Sequence, residues 1–458
     1  MLLSFSVENF RSFQAEETLN LLAAKRFGTE SPHCCEIADT GEHALRVASL
    51  YGANGAGKSN LVRALRLLQQ MVVEGTPPGK PIPHEPFLLD DQPLTKPSSF
   101  ELQFLQEGEV FRYGVCYDAD RVHEEWLAVY EGKKERNLFT RVTKENGAVT
   151  VALGPTVKDA HHPKKIKALA EVGARPNQLF LTEVVNLDDP EAQGPRFQRA
   201  IEWFATLAII KADARFSMLA EAIATDEGFA EFAARFLREA NTGIADLEVQ
   251  TTNVPKSTLA STPIDEGKNV LENLPDGLAV LPGPDGEDMF VDAPQKDTVR
   301  VRRIVALHDT SRKQRAKFPL HEESDGSQRL LNLLPALFLL TAEGGVIVVD
   351  ELERSMHPML ARKFLEFFLK AVRGTSSQLI FTTHESTLLD LELMRRDGIW
   401  FAEKDPKGAT HLYSLADFKV RKDLRIEKGY LAGRFGAIPF LGGIDHLIEE
   451  QAAAETQA

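Results

Sequence analysis

The segment Gly52-Ala53-Asn54-Gly55-Ala56-Gly57-Lys58-Ser59 restricts this chain more than any other. It has the form G-x-x-x-x-G-K-[ST] and stands between an apolar stretch, Arg46 to Tyr51, and a stretch carrying Leu61, Leu65, Leu68 and Met71 at helical spacing. The glycines let several backbone N–H groups converge on a polyphosphate, and the helix that follows adds the partial positive charge of its N-terminus. The order strand, turn, helix therefore predicts an α/β sheet of phosphate-loop type. Lys58 is expected on the β- and γ-phosphates and Ser59 on Mg²⁺. The nucleotide-binding set read from this segment is Gly52, Asn54, Gly55, Gly57, Lys58, Ser59 and Asn60.

The rest of the chain divides by pattern. Leu3, Phe5 and Val7 alternate with polar residues as in a strand, and Asn9-Phe10-Arg11-Ser12-Phe13 turns. Prolines from Pro77 to Pro86 break regular structure, and strand patterns return at 100–104, 111–117 and 126–129 as a meander. Residues 157–240 read as helical. Residues 253–298, rich in Pro, Gly and Asp, read as a loop or mobile insertion. Patterning resumes at Val299, and two apolar strands, 346–349 and 379–382, flank a helix from about Pro358 to Val372. The last residues, Gln451 to Ala458, read as a frayed tail.

Composition removes several classes of function. With 53 basic and 67 acidic residues the net charge is −14, so adhesion to nucleic acid by bulk charge is a poor reading. Three cysteines, Cys34, Cys35 and Cys116, cannot build a disulfide framework, which fits a reducing, cytoplasmic location. Glu8 and Arg11 come early and no signal-peptide core follows them. The longest apolar run, Leu330 to Ala342, falls short of the roughly 18 residues that cross a bilayer, so no membrane partner is expected.

Three further groups carry chemistry. The β-branched run Val346 to Val349 suits a strand buried on both faces and ends in Asp350-Glu351. An aspartate at that edge can hold Mg²⁺, and Glu351 can polarise the attacking water as general base. Glu323-Ser324-Asp325-Gly326-Ser327-Gln328-Arg329 opens an apolar helix with a hydroxyl and backbone N–H groups, a second anion site. Beside one phosphate loop it makes sense if Ser324 and Gly326 serve the nucleotide of a second protomer. His384 ends the strand after that and can hydrogen-bond a γ-phosphate or the attacking water.

In order and spacing this set resembles the ATP-binding-cassette ATPases of the SMC, RecF and OLD group. It is similar, more closely, to a stand-alone prokaryotic ATP-binding family of AAA15-like type, often encoded beside toxic nucleases in phage-defence operons. Glu323 to Arg329, the stretch Asp350 to Pro358, and Tyr430 to Pro439 carry that closer match. The resemblance implies a P-loop NTPase head with a mixed sheet flanked by helices and an N-terminal antiparallel lobe. It implies head segments at 1–155 and 299–450, a helical and loop insertion at 156–298, and a tail at 451–458. It implies ATP and Mg²⁺ as cofactors, Asp350 and Ser59 on the metal, Glu351 as base, His384 as γ-phosphate sensor, and a phosphate contact from Arg11. Two heads would sandwich two ATP, each site completed by Ser324 and Gly326 of the partner. The output would be a switch that controls a separately encoded effector, a nuclease, in antiphage defence.

The signature departs from transporter cassettes in having Asp325 where they have glycine. Gln92 and Gln103 are the candidates for a Q-loop, and Ser355-Met356-His357-Pro358 stands where a D-loop would. A DNA-clamping ATPase of repair or chromosome maintenance is the alternative, with Arg300, Arg302, Arg303, Arg312, Lys313, Arg315 and Lys317 as the candidate nucleic-acid contacts. A solvated strand face plus a loop is the plainer account of these cations, and an ordinary solvated helix face that of Lys164, Lys165 and Lys167. His161-His162 lacks partners at zinc-like spacing. Only 74 residues follow His384, too few for an appended nuclease domain, so no nuclease activity is expected of the chain itself. A transporter cassette and a small-molecule kinase are further rivals.

Overall fold

The alternation at the N-terminus is a strand, Leu2–Glu8, whose Leu3, Phe5 and Val7 are buried while Ser4, Ser6 and Glu8 are less so. It belongs to a seven-stranded antiparallel sheet. In spatial order the strands are Val149–Leu153, Lys134–Thr143, Val122–Glu131, Glu109–Tyr117, Ser98–Gln106, Leu2–Glu8 and Glu17–Asn20. The predicted meander is thus real and longer than its apolar stretches. The computed structural model describes residues 1–438, apart from 30–31, 39, 91–95, 159–163, 188–192, 256–278, 283–287, 296–297, 312–313, 343 and 421–424. The tail 451–458, Pro439, Gln92, His161, His162, Arg312 and Lys313 lie outside the described residues. The chain forms two compact units, one of 1–206 with 380 onward, the other of 207–379.

In the first unit the meander's core is aromatic. Phe104 stacks on Trp203 of helix Pro195–Thr206 at 4.4 Å between ring centroids, and Phe204 meets Tyr113 edge-on at 5.4 Å. A second group of strands carries the phosphate loop. Strand Val47–Tyr51 is buried at every position and pairs in parallel with Ile399–Lys404, which pairs antiparallel with Thr410–Ser414. Burial on both faces suits its apolar residues, and Ser49 is buried with them. Helix Lys58–Val73 follows, with Leu61, Leu65, Leu68 and Met71 all buried on its predicted stripe.

The second unit has its own parallel pair, Ala208–Ile210 beside Val346–Val349. Helix Asp325–Ala342 precedes Val346–Val349 and helix Pro358–Ala371 follows it. Helix Glu227–Glu239 packs an aromatic face on these two, through Phe229 on Phe338 and Phe236 on Phe367. A five-stranded sheet completes the unit. Its long strand Thr298–Asp309 pairs with Asp246–Pro255, Asp288–Gln295 and Arg315–Pro319, and Ala279–Pro282 pairs with Asp288–Gln295.

Two expectations need correction. The stretch read as helical, 157–240, contains the strand Ala208–Ile210 as well as helices. In the stretch read as a loop, 253–298, the described residues include the antiparallel pair Ala279–Pro282 and Asp288–Gln295, while 256–278, 283–287 and 296–297 lie outside the described residues. Leu281, Met289 and Val291 form a small buried core with Val299 and Val301. The fold class is α/β with several sheets, as expected. Among the described residues no helix is long and apolar enough to cross a membrane.

Candidate nucleotide site

The motif Asn9 to Phe13 folds as a tight reversal. Asn9 and Arg11 both have positive φ, 48° and 51°, and Phe10 and Phe13 exchange backbone hydrogen bonds of 2.9 and 2.8 Å. The side chain of Asn9 holds the turn by donating to the Lys96 carbonyl (2.8 Å) and accepting from the Phe87 N–H (3.2 Å). Such backbone strain at non-glycine residues costs about 1–3 kcal/mol each, which these hydrogen bonds offset. The Arg11 guanidinium pairs with the Glu85 carboxylate, and the Arg11 backbone N–H donates to the Glu85 carbonyl at 2.7 Å.

The phosphate loop leaves strand Val47–Tyr51 and enters its helix at Gly57. Asn54 and Gly55 are exposed, whereas Gly52, Ala56, Gly57 and Lys58 are buried. Lys58 Nζ donates to the carbonyls of Gly52 (2.8 Å) and Ala53 (3.1 Å), so the lysine folds back over its own loop. His384 Nδ1 lies 3.4 Å from Lys58 Nζ, which places two of the sequence-predicted residues side by side in this unit. His384 is exposed, at the end of the strand that runs to Thr382. Gly57 supplies no side-chain cap, and the first turn of the helix has no acidic residue. The helix N-terminus therefore keeps its positive field, which suits a bound polyphosphate.

Two glycines sit hard against neighbours. A Cβ on Gly52 would lie 2.5 Å from the Ala402 carbonyl oxygen, and one on Gly57 would lie 2.2 Å from Thr410 Oγ1. Asn60, read as a nucleotide contact, donates from Nδ2 to Ser12 Oγ at 2.8 Å. Ser12 and Thr410 thus form the floor of the loop. Sequence reasoning quoted Ser12 within its motif without assigning it a role, and did not notice Thr410. No local pattern marks a threonine that approaches the loop from 350 residues away.

The second unit carries the acidic strand end and the signature. Asp350 follows strand Val346–Val349, and its N–H donates to the Ile210 carbonyl at 2.8 Å. Glu351 has φ 50°, a sharp turn directly after the strand. Arg329, buried in the signature helix, braces that turn, with Nη2 donating to the carbonyls of Asp350 (3.1 Å) and Glu351 (3.4 Å). Burial, with Arg354 nearby, lowers the pKa of Arg329 from its ordinary value. In the sequence Arg329 stands within its motif without a role, and a cation four residues into an apolar helix is the signal that points to it.

Ser324 caps the signature helix by accepting the Ser327 N–H at 3.2 Å. A Cβ on Gly326 would lie 2.7 Å from the carbonyl of Ser355, itself at φ 62°. Signature and predicted D-loop therefore touch inside one unit. They line a concavity of about 720 Å³ together with Asn241, His357 and Lys363.

The basic strand is internally matched. Arg302 is 4% exposed and pairs with Glu221 (2.5 Å) and Asp292 (2.7 Å). Arg315 pairs with Asp246 and Lys317 with Glu248, both at 2.6 Å. Arg300 lies 3.7 Å from Asp292, and Arg303 is exposed with a 3.8 Å contact to Met289 Sδ. Gln103 is a half-buried residue of strand Ser98–Gln106, opposite Arg112. Lys164 and Lys165 are exposed at the start of helix Lys164–Val172, which buries Ile166.

Residues 47–148 and 202–390, well over half of the chain, match the family model described as "AAA domain, putative AbiEii toxin, Type IV TA system". No curated protein matches the chain. Among solved structures it is similar to the SMC head domain from Thermotoga maritima, at 12% identity and a TM-score of 0.38, covering 92% of this chain and 99% of that one. It is also similar to an Smc head bound to the C-winged helix domain of ScpA, at 11% identity and a TM-score of 0.38, covering 94% and 99%. A third likeness is to an Smc head with an extended coiled coil bound to the C-terminal domain of ScpA, from Pyrococcus furiosus, at 11% identity and a TM-score of 0.35, covering 94% and 98%.

Proposed function

The chain belongs to this AAA-domain family, a P-loop ATPase family, and from that premise we propose a Mg²⁺-dependent ATPase that closes as a homodimer around ATP and acts as a switch on a separately encoded effector, a nuclease, in antiphage defence. One observation carries the ATPase reading: Lys58 lies buried in a glycine loop at an uncapped helix N-terminus, 3.4 Å from His384. A lysine and a glycine loop at a helix N-terminus are the parts that hold the phosphates in phosphoryl transfer, and His384 stands beside them.

The roles follow the order of the motifs. Gly52, Asn54, Gly55, Gly57, Lys58 and Asn60 hold the phosphates, with Arg11 as an added contact. Ser59 and Asp350 hold Mg²⁺, which would neutralise charge on the β- and γ-phosphates when bound. Glu351 orients and deprotonates the attacking water, and His384 reads the γ-phosphate. Ser324 and Gly326 serve the nucleotide of the partner protomer. The head comprises 1–155 and 299–450, with 156–298 inserted. The reading as an effector switch rests on the family resemblance, and the ion pairs of Arg302 with Asp292 and of Arg315 with Asp246 favour it over the DNA-clamping alternative.

The test is light scattering behind a sizing column, with ATP turnover measured on the same samples. Glu351→Gln should bind ATP, lose turnover by about a hundredfold or more, and elute as a dimer with ATP. Ser324→Arg should bind ATP and remain monomeric, and Lys58→Ala should not bind. Turnover of Glu351→Gln at the wild-type rate would remove the base assignment. A monomer under all conditions would remove the closure.

A further inference from the structure

We propose that Thr410 is a positioning residue of the phosphate loop, whose hydroxyl holds the Ala56 carbonyl and so fixes the peptide plane between Ala56 and Gly57. The inference rests on the reading of that loop as a nucleotide site. The contacts are Asn60 Nδ2 to Ser12 Oγ, Thr410 Oγ1 to Ser12 Oγ, and Thr410 Oγ1 to the Ala56 carbonyl oxygen, each 2.8 Å. Thr410 is 1% exposed and Ser12 7% exposed, so water does not compete for these bonds.

Thr410 Oγ1 donates both to the Ala56 carbonyl oxygen and to Ser12 Oγ, so its one proton is shared between two acceptors. Ser12 Oγ also accepts from the Asn60 amide, which holds it in place beside Thr410. The backbone adds a fourth bond, Thr410 N–H to the Ser12 carbonyl at 2.7 Å, which seats the strand on the turn.

The consequence for the loop is geometric. The 56–57 peptide is trans, as all the described peptide bonds are, so the Gly57 N–H points opposite to the Ala56 carbonyl. Drawing the carbonyl down to the buried floor turns the Gly57 N–H up, to the face where the loop offers donors to a phosphate. Gly57, at φ 108°, tolerates either orientation of that plane, so its own backbone does not choose between them. The Thr410 hydroxyl chooses. The contact of Gly57 with Thr410 also makes the glycine obligatory: a Cβ there would overlap Thr410 Oγ1 and crowd Ser12 Oγ at 2.8 Å.

The experiment compares Thr410→Val, which keeps the shape and loses the hydroxyl, with Thr410→Ser, which keeps the hydroxyl. Two readouts are taken: amide hydrogen exchange of peptides spanning 53–60 without nucleotide, and the dissociation constant for ATP with Mg²⁺. Thr410→Val should exchange faster and bind ATP about tenfold more weakly, the loss of roughly one buried hydrogen bond. Thr410→Ser should match wild type in both.

Equal exchange in wild type and Thr410→Val would overturn the proposal, as would equal behaviour of the Val and Ser variants. Should Thr410→Val not fold, Thr410→Ala carries the same comparison. A wild-type protein that binds no ATP would remove the nucleotide reading instead, and the exchange comparison would still decide whether Thr410 holds the loop.

Discussion

Gly57 and Gly55 have the same residue type and the same sign of φ, 108° and 76°, yet their surroundings differ. At Gly55 a Cβ meets nothing within 4 Å, so Gly55→Ala meets only the backbone penalty of the left-handed region, about 1 kcal/mol. At Gly57 the same methyl falls 2.2 Å from Thr410 Oγ1, on a strand paired to its neighbour, and cannot be relieved by turning a side chain. The cost there adds overpacking to strain, on the order of 3 kcal/mol or more. Thermal unfolding without nucleotide should therefore rank wild type, then Gly55→Ala, then Gly57→Ala, with a much larger gap at the second step. Equal shifts for the two variants would mean that Gly57 is not packed on Thr410. Both variants should bind ATP more weakly, so the unfolding measurement, not the affinity, tells packing from phosphate contact.

At the scale of the elements, one buried carboxylate joins three of them. Glu125, on strand Val122–Glu131, accepts the N–H groups of Phe180 (2.6 Å) and Leu181 (3.0 Å) and the hydroxyl of Tyr113 (3.0 Å). It thereby caps the first turn of helix Phe180–Val185 and ties it to strand Glu109–Tyr117. Burial raises its pKa, and Arg141 with the three donors only partly counters this. A carboxyl whose folded pKa is raised binds its proton more readily when folded. Its contribution is complete below the unfolded value of 4.5 and declines as pH climbs through the higher folded value. Glu125→Ala should cost on the order of 3 kcal/mol, since three buried donors lose their acceptor. Glu125→Gln does not ionise, so the stability of wild type minus that of Glu125→Gln should fall as pH rises above the normal carboxyl range. Denaturant melts of both proteins across pH 4 to 8 check the sign, and a rising difference would refute it.

The elements also show what the chain discloses by itself. Helix Lys58–Val73 was legible to its first residue because a glycine loop and a four-residue apolar stripe coincide there. The meander was legible because Phe100, Leu102 and Phe104 alternate cleanly with polar residues. Strand Asp246–Pro255 was not, because Gln250, Thr251, Thr252 and Asn253 leave no apolar face to read. Its order comes from its full-length pairing with Thr298–Asp309, a partner some fifty residues on. Thr410 was hidden for the same reason: its meaning lies in Ser12 and Ala56, hundreds of residues earlier. Motifs that bind a ligand through contiguous backbone are local and visible, while floors and braces made by tertiary contact are not.

For the molecule as a whole, the net charge of −14 hides a strand with three arginines in four residues, Arg300, Arg302 and Arg303. What those arginines face decides between a nucleic-acid surface and a structural one. Arg302 is sealed between Glu221, from helix Leu219–Thr225, and Asp292, from the adjacent strand. Arg315 and Lys317 face Asp246 and Glu248 across the strand Thr298–Asp309 that lies between them. Cations already matched in this way release few counterions from a phosphate backbone, so they should give little affinity and a shallow salt dependence. Arg302→Met should lower the stability of the protein by about 3 kcal/mol, because it leaves Glu221 and Asp292 without their common partner. It should not change retention of duplex DNA at low salt. The two effects separate the readings: weaker DNA retention with unchanged melting would make the strand a binding surface, whereas lower melting with unchanged retention makes it part of the frame of this unit.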